Sequence, residues 1–172
     1  MPASTNDLLA RLETLGISST VASHPALFTV EESRALRGKV PGAHTKNLFL
    51  KDKKGQLFLV TTLEDAEIAL KQLHHTIGAS GRLSFGSAEL MMEKLGVTPG
   101  SVTPLGVIND QPPSVTVILD AALAAEDRIN CHPLVNTMTM TLATADLLAF
   151  LRATGHEPRI LPVDGAPGRN QL

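Results

Sequence analysis

The stretch AHTKNLFLKDKKGQLFLVTT, residues 43–62, sets two apolar runs around a charged loop. Residues 46–50 and 56–62 are rich in leucine, phenylalanine, valine and threonine, types that suit a pleated, half-buried surface. Between them Lys51-Asp52-Lys53-Lys54-Gly55 is polar and ends on a glycine, so the spacing predicts a β-hairpin. A strand entering a core does not ordinarily open on a pair such as Lys46-Asn47, because burying an unpaired ammonium is costly. Either Lys46 only caps the strand at the surface, or something anionic meets it there.

Working outward, Ser4 precedes Asp7, Leu8, Leu9, Leu12 and Leu15. A cap followed by apolar residues at helical spacing predicts a helix ending near Gly16. Residues 17–23 alternate weakly and read as a strand, broken by His24-Pro25. Thr29 with Glu32 three positions later reads as a capping box, opening a helix that runs to about Arg37 and stops at Gly38. Beyond the hairpin, helices are expected at 65–73, from Ser87 to about Leu95, and at 145–153 after a Thr144 cap. Strands are expected at 83–85, 105–108, 115–119, 129–133, 137–142 and 159–161, with a loop over 97–104. Strands outnumber helices, and several are joined by hairpin-length connections. The expected fold class is α+β: a curved, mostly antiparallel or mixed sheet surrounded by helices. No repeat or composition break divides the chain, which reads as one domain over residues 1–164 with a flexible tail at 165–172.

Composition narrows the function classes. The chain has 172 residues, 43% hydrophobic and 19% charged, enough for a sizeable core. No apolar run approaches the roughly 18 residues of a membrane span, and no membrane partner is expected. The first residues lack a basic start followed by an unbroken apolar run, and Cys131 stands alone, so a reducing, cytoplasmic setting is expected. There is no Trp or Tyr and the net charge is −2, which weighs against broad nucleic-acid binding and against DNA as a partner. The charge is uneven, however. Arg34, Arg37, Lys39, Lys46, Lys51, Lys53 and Lys54 face a single acid, Asp52, which makes that stretch +6. It is either a solvated face or a local phosphate-binding surface.

No Walker loop, G-x-G-x-x-G, H-E-x-x-H or G-x-S-x-G is present. Six histidines occur at spacings unlike a metal site, so neither a metal nor a cofactor is expected. Cys131 and His132 are neighbours that a strand points to opposite faces, and a buried structural cysteine is the expectation. Three segments are polar where a core would be apolar: Thr45-Lys46-Asn47, the constrained loop Gly100-Ser101-Val102-Thr103-Pro104, and Asn130-Cys131-His132-Pro133-Leu134-Val135-Asn136-Thr137. Glycine allows close backbone approach and proline fixes the return, so such a loop can offer main-chain groups to a ligand.

These motifs in this order resemble the YbaK-type family of aminoacyl-tRNA deacylases, which includes the editing domain of bacterial prolyl-tRNA synthetases. The resemblance runs from His24-Pro25 to the last helix. It is nearest to the free-standing proteins that hydrolyse alanyl-tRNA(Pro), through H-T-K-N-L-F-L-K-D, L-G-V-x-P-G-S-V-T-P-L-G and H-P-L-V-N-T. It implies a pocket for the aminoacylated tRNA end lined by Lys46 and by Gly100, Ser101, Val102, Thr103 and Pro104, with Asn47 and His132 at its rim or floor. Phe28 and Val30 are expected to shape the side-chain pocket. Arg34, Arg37, Lys39, Lys51, Lys53 and Lys54 are expected to meet the acceptor end of tRNA(Pro), and prolyl-tRNA synthetase is a candidate partner. An aminoacyl ester is already activated, so water, a positioned carbonyl and a stabilised oxyanion suffice. The competing readings are a deacylase for cysteinyl-tRNA(Pro) or a seryl or threonyl ester, a noncatalytic tRNA-binding module, and a plain nucleic-acid-binding protein.

Overall fold

A computed structural model of the chain describes residues 1–26, 31 and 40–165. The expected hairpin forms the middle of its sheet. The strands are β1 (Ser19–Ser23), β2 (Ala43–Lys51), β3 (Leu57–Leu63), β4 (Ser84–Phe85), β5 (Val115–Asp120), β6 (Arg128–Cys131), β7 (Met138–Ala143) and β8 (Arg159–Leu161). The helices are α1 (Thr5–Thr14), α2 (Leu70–Ile77), α3 (Ala88–Leu95), α4 (Ala121–Ala124) and α5 (Thr144–Ala153), with 3₁₀ turns at Pro99–Ser101 and Pro104–Asn109. The sheet order is β1-β7-β6-β2-β3-β5-β8, and β4 lies beside β2. β2 is antiparallel to β3 and β4, whereas β2 with β6, β3 with β5 and β5 with β8 run parallel. The sheet is therefore mixed and the fold α+β, as the sequence pattern implies.

β3 is buried along almost its whole length because both faces of the sheet are covered. In register across three strands, Phe49, Leu59 and Val117 face one cluster, with Leu8 and Leu12 of α1, Leu95 of α3 and Phe150 of α5. Leu48, Val60 and Ile118 face the other cluster, with Leu73 and Ile77 of α2. Each face takes alternate residues, the strand's period of two. α1 starts where Ser4 and Asp7 form a reciprocal capping box.

Four expectations need correction. The helix placed at 65–73 begins only at Leu70, because the backbone before it is used otherwise. Glu67 N–H donates to Asp164 Oδ1 at 3.1 Å and Gly165 N–H donates to Glu67 O at 2.7 Å. The strand expected at 105–108 is a 3₁₀ turn: Pro104 pre-sets its first residue and the Thr103 hydroxyl accepts from Leu105 N–H. A short buried apolar run does not itself distinguish helix from strand. The strand expected at 129–133 ends at Cys131. Thr144 does not cap α5; its hydroxyl donates to Glu126 O. The helix expected at 29–37 and residues 166–172 of the expected tail lie outside the described residues.

Candidate active site

β2 and β6 start side by side and then part. Their parallel pairing covers only Ala43 with Ile129 and His44 with Asn130. Asn130 pins this junction: its carbonyl accepts from Thr45 Oγ1 at 2.7 Å and its Nδ2 donates to Pro41 O at 2.9 Å. Gly42, at φ +102, lets the chain pass so close that a Cβ would stand 2.9 Å from Asn130 Nδ2. Beyond the junction, no strand among the described residues pairs with that edge of β2 until β4 joins at Leu50. The loop 100–104 fills the wedge between the diverging strands. Asn47 Nδ2 donates to Val102 O at 3.0 Å, and Asn47 Oδ1 accepts from Thr61 Oγ1 at 2.6 Å. On the β6 side, Thr103 hydrogen-bonds the Cys131 side chain. Burial pushes the Cys131 thiol up to about 12, so it stays protonated and serves packing rather than attack. Ser101, Thr103 and Pro104 are buried, Val102 is half-buried, and Gly100 is exposed.

Lys46 lies one residue from Asn47 and points to the opposite face. Its register partner is Thr62, and its Nζ donates to Ala66 O. An ammonium has three donors, and no carboxylate among the described residues forms a salt bridge with this one. Among the described residues, the structure joins Asn47 to the loop by hydrogen bonding and does not so join Lys46. The two side chains lie on opposite faces of β2 near its unpaired edge.

His132 opens the turn between β6 and β7. Its Nδ1 faces Met138 O at 3.2 Å, which fixes Nδ1 as the protonated nitrogen and leaves a lone pair on Nε2. Burial lowers its pKa below 6.5, and the nearby His24 lowers it further against the opposing Met138 hydrogen bond. His24 is held by Thr139 Oγ1 and Pro25 O, each at 2.8 Å. Leu134 in the same turn has φ 74, a left-handed conformation that costs a side-chain-bearing residue about 1–2 kcal/mol. Its side chain is buried, and that packing holds the turn.

Lys51, Lys53 and Lys54 are all exposed at the far end of the hairpin. Asp52 is turned inward and accepts N–H bonds from Ser80, Lys54 and Gln56. These bonds, that of Ser80 foremost, hold its carboxyl below the usual range against the opposing effect of burial. The single acid of the cationic stretch is thus a loop staple. Phe28, Val30, Arg34, Arg37 and Lys39 lie outside the described residues. Sequence reasoning missed Thr61, Met138 and His24 as supports; the polar Thr61-Thr62 pair closing an otherwise apolar run was the available signal. Among the described residues, no helix is long and apolar enough to cross a membrane.

Comparison with known proteins gives the family. Residues 24–150 match the family model described as the aminoacyl-tRNA editing domain. A zebrafish (Danio rerio) protein named prolyl-tRNA synthetase associated domain-containing protein 1 is 44% identical over 155 residues, 89% of this chain and 84% of its own. Prolyl-tRNA editing protein ProX of Acetoanaerobium sticklandii is 35% identical over 150 residues, 87% of this chain and 91% of its own. A crystal structure described as a candidate trans-editing enzyme for prolyl-tRNA synthetase superposes with a TM-score of 0.69 at 22% identity, covering 94% of this chain and 98% of that one. The chain belongs to the aminoacyl-tRNA editing domain family, and its activity is that of an aminoacyl-tRNA deacylase.

Proposed function

We propose that the protein hydrolyses alanyl-tRNA(Pro) in trans, with the aminoacylated end lying against the open edge of β2. The observation that carries this reading is the double hydrogen bond of Asn47, which ties the glycine–proline loop to the strand beside Lys46. The names of the relatives, which concern prolyl-tRNA editing and association with its synthetase, support prolyl-tRNA as the tRNA class.

Each group then has a task. Lys46, with donors to spare, meets ribose or phosphate oxygens from one side of the edge. The loop residues 100–104 meet the aminoacyl moiety from the other side with main-chain groups. His132, neutral and carrying its lone pair on Nε2, accepts a hydrogen bond from the attacking water and orients it. An ester needs no side-chain nucleophile, and a free hydroxyl of the terminal ribose assists the same water. Lys51, Lys53 and Lys54 meet acceptor-stem phosphates, which duplex RNA offers irrespective of base sequence.

Selectivity follows from size. A synthetase pocket built for proline discriminates weakly against alanine, which is smaller and loses only about 1–3 kcal/mol of contact per missing methylene. A second, tighter pocket reverses the order by rejecting proline sterically. The deciding experiment compares hydrolysis of alanyl-tRNA(Pro) and prolyl-tRNA(Pro) with a chelator present. Hydrolysis of the first alone is expected; ready hydrolysis of both overturns the size argument. Unchanged rates in both Lys46→Ala and His132→Ala overturn their assigned tasks.

A further inference from the structure

β4 is two residues long and presents the most exposed phenylalanine among the described residues. Phe85 pairs with Leu50 of β2 and keeps 60% of its surface exposed. It is held by its surroundings. Gly86 N–H donates to Phe49 O at 2.9 Å, and a Cβ on Gly86 would stand 2.5 Å from the Phe49 ring. Only glycine lets this backbone lie so close to β2. The adjoining loop is stapled to the hairpin through Asp52, which accepts from Ser80 N–H, and through Lys53 N–H, which donates to Ser80 O. Most of this aromatic residue thus faces solvent from a tightly fastened strand.

Its position along β2 is informative. Phe85 stands level with Leu50, four residues from Lys46, or about 14 Å at a strand's rise of about 3.4 Å per residue. At the ~3.4 Å spacing of a stacked strand this separation holds about four nucleotides, and fewer if the strand is stretched. The exposed cations Lys51, Lys53 and Lys54 follow immediately, where a polyanion leaving the edge would pass. Between Lys46 and Leu50 no strand among the described residues pairs with this edge of β2; Gly86 N–H takes Phe49 O, and the 100–104 loop is held by Asn47 on the face opposite Lys46 and Phe85.

We propose that this edge is a track for unpaired 3′-terminal nucleotides of RNA, with Phe85 stacking on a base a few positions from the esterified one. The assignment of the ester end to Lys46 rests on the deacylase reading; the stacking contact is tested without it. Every base has a π-face, so this contact recognises the presence of an unpaired end and tolerates its sequence. The track separates the reacting end from the duplex by a fixed length, and a blunt duplex would reach the cations without reaching Phe85.

The test measures binding of two uncharged RNA hairpins, one blunt and one with a four-nucleotide 3′ overhang, to the wild type, Phe85→Ala and Phe85→Trp. Wild type is expected to prefer the overhang. Phe85→Ala should weaken overhang binding by about 5- to 150-fold, the range of one base–aromatic stack, and leave blunt binding unchanged. Phe85→Trp should retain the preference. Equal weakening of both RNAs, or no weakening of either by Phe85→Ala, overturns the proposal. Because neither RNA carries an ester, failure of this test is distinct from failure of the deacylase reading, which shows instead as intact alanyl-tRNA after incubation with the wild type.

Discussion

The Asn47 bridge gives a quantitative test of how the site is built. Asn47→Ala removes two hydrogen bonds at once, to Thr61 Oγ1 and to Val102 O. Thr61 is fully buried, so its hydroxyl is left unpaired at a cost of about 1–3 kcal/mol. Val102 is half-buried and its carbonyl can turn to water, so that loss is about 1 kcal/mol. The variant should therefore lose about 2–4 kcal/mol. Thr61→Val removes only the donor, and half-buried Asn47 rehydrates its oxygen, for a loss of about 1 kcal/mol. In the double variant the stranded hydroxyl no longer exists, so the losses should fall short of additivity by about 1–2 kcal/mol. Urea unfolding of all four proteins at constant m measures this directly. Deacylation in parallel should fall by about 10- to 100-fold in Asn47→Ala, because the freed loop no longer holds the ester in an attack geometry. Additive unfolding energies, or full activity despite the lost stability, would refute the claim that this bridge organises the site.

Other outcomes follow from the same structure. His132 has its pKa depressed by burial, so its contribution to stability is present above pH 6.5 and is lost as pH falls through its lower folded value. Stability against pH should show that slope in the wild type and lack it in His132→Asn, and the acid limb of deacylation should lie below pH 6.5. Burial works to raise the Asp110 carboxyl, but bonds from Ser114, His156 and Val115 hold it below 3.8. Asp110→Asn should cost about 1–3 kcal/mol in urea unfolding, because an amide nitrogen replaces one of the carboxylate oxygens that the buried N–H groups of Ser114 and Val115 and the ring of His156 meet. Gly86→Ala should drive its methyl into the buried Phe49 ring, lower stability by about 1–3 kcal/mol and loosen β4, measured by faster amide exchange at residues 84–86.

The hairpin was legible because apolar types and a polar, glycine-bearing turn agree locally, and β3 needs no distant partner to declare itself. The start of α2 was not legible from the chain alone. Ala66, Ile68 and Ala69 keep helical spacing, yet Glu67 is tied to Asp164 and Gly165 almost a hundred residues away. Asp120 takes part in the same strap, accepting from Val163 N–H at 2.9 Å. A propensity read over eight residues has no access to such contacts, and the tertiary hydrogen bonds outweigh it. The turn at Pro104–Asn109 was missed for a different reason. Its apolar run is too short to reveal a period, and only the backbone geometry set by Thr103 and Pro104 distinguishes it from a strand.

The site was legible as residue types but not as an arrangement. Lys46 and Asn47 stand out in the sequence because they are polar at the mouth of a strand, and the family resemblance puts Lys46 in the pocket lining and Asn47 at its rim or floor. On a strand such neighbours point to opposite faces. What reconciles them is the parting of β2 from β6 after a junction of two residue pairs. At an unpaired edge both faces border the same opening, so a cation on one and an amide on the other can reach one ligand lying along it. A fully paired β2 would bury that edge and put the sheet between them. On the proposed reading, the short β2–β6 ladder is what lets both groups reach one ligand, and the 100–104 loop is tied to β2 through Asn47, itself bonded to Thr61, and to β6 through Cys131.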